Sequence, residues 1–198
     1  MVSSDVSKAI SDWTAWAQKN DVQRYDIALL KIWIQLERFI SELFVSYATG
    51  NSSEKGYAPE RKISFQDEAH FNVFMREGTK KYIPYLDKIR QLSKHVFHVN
   101  PFEVILMDAN IKPSFEQMQA IRNYIAHESD EAKRKLIDTC FHGDKRKFVE
   151  PNAFLQSREK TTKKTYYTYY MDTIEYILSA LTEPSSSPSA PVSRNRMQ

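Results

Sequence analysis

From Ile27 to Ala48 apolar residues recur every three or four positions with no proline or glycine between them. That period belongs to a helix, because strand side chains alternate every second residue. Only four glycines occur in the 198-residue chain, and alternating β-branched runs are nearly absent, so the whole chain is expected to be all-α. Its length and 41% hydrophobic content suffice for one domain with a sizeable core, expected over residues 1–183. The Ile27–Ala48 run also contains Lys31, Glu37, Arg38 and Glu42, which makes it a poor membrane span.

The N-terminus reads as a capped, polar-patterned helix and not as a signal peptide. A single cysteine, Cys140, excludes an intramolecular disulfide framework and points to a reducing compartment. The expectation is a soluble, cytoplasmic chain with no membrane partner. The net charge of +3 is compatible with nucleic acid without requiring it.

Start and stop signals divide the chain into helices. A first is expected from about Asp5 to Lys19, capped by Ser3 or Ser4, with Ile10, Trp13 and Trp16 on one face. A second begins after Asp21 and ends at Gly50, a suitable glycine just past a helix end. Asn51 to Ser64 reads as a loop. Shorter helices follow over about Asp67–Glu77, closed by Gly78, and Pro84–Phe97, and Asn100-Pro101 opens another through Met107. Pro113 suits the first turn of a helix reaching His127. Ser129-Asp130 resembles a new N-cap for Glu131–Phe141. Gly143 to Lys160 looks irregular, and a tyrosine-rich helix covers about Thr162–Leu181. Residues 184–198, rich in serine and proline, are expected to be disordered. The architecture predicted is a helical bundle.

Projected at 100° per residue, Lys31, Gln35, Arg38 and Glu42 form the solvent stripe of the second helix, opposite Leu29, Trp33, Ile40, Phe44 and Tyr47. Glu37 falls inside the apolar arc. It either lies at the helix edge and reaches water, or is paired, protonated or turned into a crevice, since burying a lone carboxylate is costly. Arg122 is a candidate partner. The apolar arc exceeds half the circumference, more than one packing partner usually requires, which points to a dimer.

Arg122-Asn123-Tyr124-Ile125-Ala126-His127 joins a permanent planar cation to a titratable imidazole near a helix end. Such a pair can hold developing phosphate charge and move a proton without a metal. Phe115, Met118, Ile121, Ile125 and Ala126 supply the apolar stripe of this helix. Asn123 lies four residues before His127 and can orient the imidazole. Arg122 is about 140° of helix rotation from His127. Either the helix loosens there, or two copies meet at a two-fold and share their groups.

The string Ile121 to Glu128 closely resembles the Arg-x4-6-His signature of the HEPN superfamily, including the polar residue directly after the arginine. The resemblance covers mainly Pro113–Leu136 and, more loosely, the region around Leu36-Glu37-Arg38-Phe39. It implies a helical bundle that dimerises around a composite cleft, with metal-independent endoribonuclease activity and no cofactor. By this resemblance His127 handles protons, Arg122 holds the scissile phosphate and Asn123 positions the site. Glu37 is the candidate supporting acid, chiefly on the helix projection. The family also implies a toxin–antitoxin or anti-phage defence setting with an antitoxin or other defence-system partner protein. In one toxin subgroup a tyrosine two residues after the histidine is modified; Ser129 stands there in this chain, so that regulation is not expected. The alternative is a catalytically inactive module that binds RNA, nucleotide or protein, and a third reading is a scaffold in which the pair only ties helices together.

Lys133, Arg134 and Lys135, with Lys145, Arg146 and Lys147, form a plausible electrostatic funnel for RNA just beyond the motif. Lys163, Lys164, Tyr166, Tyr167, Tyr169 and Tyr170 can contact single-stranded RNA, but Tyr166 and Tyr170 also follow core spacing with Ile174, Ile177 and Leu181. His95 and His98 have a helical i, i+3 spacing but lack further metal ligands in register. His70 and His142 are isolated, and adjacent Cys140, Phe141 and His142 diverge on a helix, so no metal site or thiol dyad is expected.

Overall fold

The helical period of the second segment is realised as α2 (Tyr25–Ala48). A computed structural model describes residues 2–19, 24–75 and 86–183. Around α2 in sequence lie α1 (Ser3–Lys19), α3 (Glu68–Met75), α4 (Leu86–Val96), α5 (Pro101–Leu106), α6 (Lys112–His127), α7 (Asp130–Cys140), α8 (Pro151–Gln156) and α9 (Tyr166–Thr182). Among the described residues the only extended pairings are isolated bridges, Arg61 with Phe97 and Arg158 with Thr165. The all-α expectation therefore holds. No helix of the described residues is long and apolar enough to cross a membrane.

The described residues fall into two compact units. One, drawn from residues 2–6, 34–75, 86–107 and 176–183, contains the second part of α2, α3 to α5 and the end of α9. Its core is aromatic. Phe44 meets Phe71, Phe97 and Phe102 edge-on at centroid separations of 5.6, 6.1 and 5.7 Å, and each such pair adds to the area term of burial. The buried Tyr47 hydroxyl donates to the Leu181 carbonyl at 2.8 Å. Gly50 (φ +93°) closes α2 through a 3.1 Å bond from its N–H to the Tyr47 carbonyl, and Asn51 N–H reaches the Ser46 carbonyl at 2.9 Å. This pair of bonds is a Schellman cap. The Arg61 guanidinium covers the glycine and donates to the Ala48 carbonyl at 3.2 Å.

The other unit, drawn from residues 7–19, 24–33 and 108–175, holds most of α1, the start of α2, α6 to α8 and most of α9. Trp33 packs on Phe115 at 4.9 Å, and Met118, Ile121, Leu136, Leu155, Tyr170 and Ile174 are buried around the same core. The tyrosines of α9 tie the helices together. The Ser114 hydroxyl donates to the Tyr169 hydroxyl at 3.0 Å and Tyr170 donates to Gln117 Oε1 at 2.9 Å. Tyr167 and Thr14 hydroxyls lie 2.7 Å apart, and Tyr166 stacks on Phe154 at 4.3 Å.

Several expectations change. Besides Leu29, Trp33, Ile40, Phe44 and Tyr47, the chain also buries Ile32, Leu36, Phe39 and Leu43 of α2. Most of the apolar face is thus covered within the chain, while Ile34 of the same helix stays 44% exposed. Trp16 is 38% exposed, whereas Val6 and Ala17 of α1 are buried. The segment Gly143–Lys160 is less irregular than expected, because Glu150-Pro151 opens α8 with a proline in its first turn. Asp21, Gly78, Pro84 and residues 184–198, named in the helix and tail expectations, lie outside the described residues.

Candidate active site

Pro113 sits in the first turn of α6, and Ser114, Phe115, Met118, Ala120 and Ile121 turn inward. Ile125 is half-buried, but Ala126 is exposed and leaves the apolar stripe. The helix stays regular to its end: Glu128 N–H bonds to the Tyr124 carbonyl at 2.8 Å. Glu128 then adopts a left-handed conformation (φ 46°, ψ 29°). Ser129 follows in extended backbone and caps α7, its side chain accepting from Ala132 N–H at 3.2 Å. Two residues therefore reverse the chain between helices that pack on one another. The loosening considered for His127 does not occur; α6 carries Arg122 and His127 about 140° apart.

Arg122 is half-buried and its Nη1 donates to Asn123 Oδ1 at 2.9 Å. The amide oxygen of Asn123 therefore engages the guanidinium one residue earlier. His127 is exposed on the last turn of α6. Glu37 is half-buried on α2 and belongs to the unit of residues 34–107, whereas the hexapeptide belongs to the other.

The basic residues separate into two kinds. Lys145, Arg146 and Lys147 form an exposed 3₁₀ turn capped by Asp144. Asp144 takes Arg146 in a fork, with Nε and Nη2 at 3.1 and 3.3 Å, and Lys147 at 3.5 Å. These hydrogen bonds and the lysine's charge hold its carboxyl below the usual carboxylate range, and the carboxylate offsets one of the three positive charges beside it. Arg134 and Lys135 are exposed on α7. Lys133, by contrast, is half-buried with its ammonium 4.5 Å over the Phe148 ring.

Phe148 in turn meets Tyr124 of the hexapeptide edge-on at 6.1 Å and Phe141 at 5.8 Å. The Tyr124 hydroxyl lies 3.5 Å from Glu150 Oε2; partial burial and then the Glu150 charge push its pKa up. Sequence reasoning missed Tyr124, Phe148 and Glu150. The available signal was a lone aromatic, Phe148, directly after a basic triplet.

The remaining candidates are dispersed. Tyr167 and Tyr170 are buried and Tyr166 and Tyr169 half-buried, while Lys163 and Lys164 are exposed, the arrangement that core spacing anticipates. α4 ends at Val96, so His95 and His98 do not share a helix, and His98 faces Glu60 at 3.9 Å. His70 accepts from Gln66 N–H at 3.3 Å, and His142 is exposed with φ 52°. Burial pushes the Cys140 thiol up to about 12, which suppresses its nucleophilic thiolate form. Among the described residues no group of three His, Cys, Asp or Glu is placed to hold a metal ion.

No protein-family model matches this chain, and no curated protein or solved structure matches it either.

Proposed function

We propose that the chain is a metal-independent endoribonuclease of HEPN type. His127 transfers protons at the ribose 2′-hydroxyl or leaving oxygen, and Arg122 stabilises the charge that develops on the scissile phosphate. The observation that carries the reading is the end of α6, where an exposed imidazole closes a regular helix and Asn123 aims the arginine five residues earlier. Because about 140° of rotation separates the two groups on one helix, the site is composite, with two copies meeting at a two-fold and each lending groups to one cleft. Exposed Arg134, Lys135 and Lys145 add to the electrostatic attraction of RNA. The setting inferred from the resemblance is a toxin–antitoxin or anti-phage defence system with a protein partner.

The test is RNA cleavage in excess EDTA by the purified chain beside Arg122→Ala and His127→Ala. Cleavage by the parent that both substitutions reduce at least 100-fold supports the proposal. Activity that EDTA abolishes, or that survives either substitution, rejects it. RNA binding without cleavage would support the inactive binding module instead.

A further inference from the structure

Lys133 occupies an unusual place for a cation. Ser129 caps α7, so Lys133 lies about one turn into the helix, where the positive end of the backbone dipole favours acids. What holds its ammonium there is the Phe148 ring face at 4.5 Å, a cation–π contact. Phe148 is fixed edge-on between Tyr124 and Phe141. Tyr124 belongs to the hexapeptide and, three residues before His127, shares its side of α6. A ring on the His127 side of the helix, a second ring and a preset ammonium therefore form one continuous cluster. Tyr124, Lys133 and Phe148 are all half-buried, so each keeps surface open to solvent.

We infer that Tyr124, Phe148 and Lys133 form a subsite for an unpaired nucleotide beside His127, and that the substrate is therefore single-stranded RNA. Lys133 takes a backbone phosphate, Phe148 acts as its positioning residue, and the exposed ring surface of Tyr124 stacks a base, which only an unpaired nucleotide can offer. An anion here also meets the positive end of α7, so phosphate relieves the repulsion that Lys133 experiences in its absence. The inference rests on the proposed ribonuclease reading and specifies its substrate.

The experiment uses the full chain carrying His127→Ala and follows fluorescence anisotropy of labelled single-stranded RNA and of a duplex of the same sequence. Single strand is expected to bind at least fivefold more tightly than duplex. Lys133→Gln should weaken single-strand binding about fivefold or more and lower the salt dependence by about one counterion. Phe148→Leu, which removes no charge, should lower that salt dependence equally, and the double variant should be no weaker than twofold below Lys133→Gln. Lys133→Arg and Phe148→Tyr, which keep the cation and the ring, should bind as the parent does. If Phe148→Leu fails to fold by circular dichroism, Lys133→Gln and the two conservative variants decide. Equal binding of duplex, an unchanged salt slope in Lys133→Gln, or full additivity would overturn the subsite. Cleavage by the chain with His127 restored is scored separately. Its absence beside Lys133-dependent binding rejects the activity and keeps the subsite; its presence beside variants that bind normally does the reverse.

Discussion

Glu128→Gly should stabilise the protein although it removes a side chain. Glu128 holds φ 46° and ψ 29° between α6 and α7, a left-handed conformation that costs an L-residue about 1–2 kcal/mol and glycine almost nothing. Glycine returns about 0.5–1 kcal/mol of that through its freer unfolded chain. Removing a carboxylate from the negative end of α6 adds about 0.3 kcal/mol or more. The net gain is about 1 kcal/mol, or about 2–4 °C in a chain of this length. Thermal unfolding by circular dichroism is the assay. Glu128→Ala separates the two causes, because it removes the charge and keeps the strain, so it should gain only a few tenths of a kcal/mol. A Gly variant that melts at or below the parent, or an Ala variant that gains as much as Gly, refutes the strain argument.

Gly50→Ala should act in the opposite direction. Its φ is +93°, and a Cβ would stand 2.6 Å from Arg61 Nη2, so a loss of about 2 kcal/mol is expected by urea unfolding; a neutral result would remove the cap assignment. Ser129→Ala deletes the acceptor for Ala132 N–H and should cost about 1 kcal/mol in the same measurement, with no loss telling against the cap. Stability should fall as pH rises from about 9 toward 12. Burial pushes Cys140 and Tyr167 up to about 12 and also raises Tyr47 and Tyr170. In that window the unfolded chain loses protons that the folded chain keeps, and folding free energy is lost accordingly. A flat stability profile from pH 9 to 11 would contradict the burial of these groups.

The helices were legible because their punctuation is local. Asn100-Pro101 caps and opens α5 with Asn100 accepting from Phe102 and Glu103 N–H, as the dipeptide suggests, and Ser129 caps α7. The core face of α9 was legible from spacing alone. α8 was not, since six residues are too few to display a period and only Pro151 marks its start. The width of the apolar arc on α2 is a weak guide to partners for another reason: a projection counts apolar residues but not how many neighbours the fold supplies. At the site, helix spacing places Asn123 and His127 on one side, yet the amide turns to the adjacent guanidinium, which offers the charge-assisted bond. The role of Phe148 was not legible beyond its place after a basic triplet, because the Lys133–Phe148–Tyr124 cluster joins three segments at no fixed spacing.

The most direct test of the composite site is complementation between two inactive proteins. Arg122→Ala and His127→Ala chains are unfolded together, refolded as a mixture and assayed for RNA cleavage in excess EDTA. If two copies share one cleft, mixed dimers contain one intact arginine and one intact histidine, and activity should reappear well above either variant alone. A mixture that forms mixed dimers and remains as inactive as its components would contradict the account.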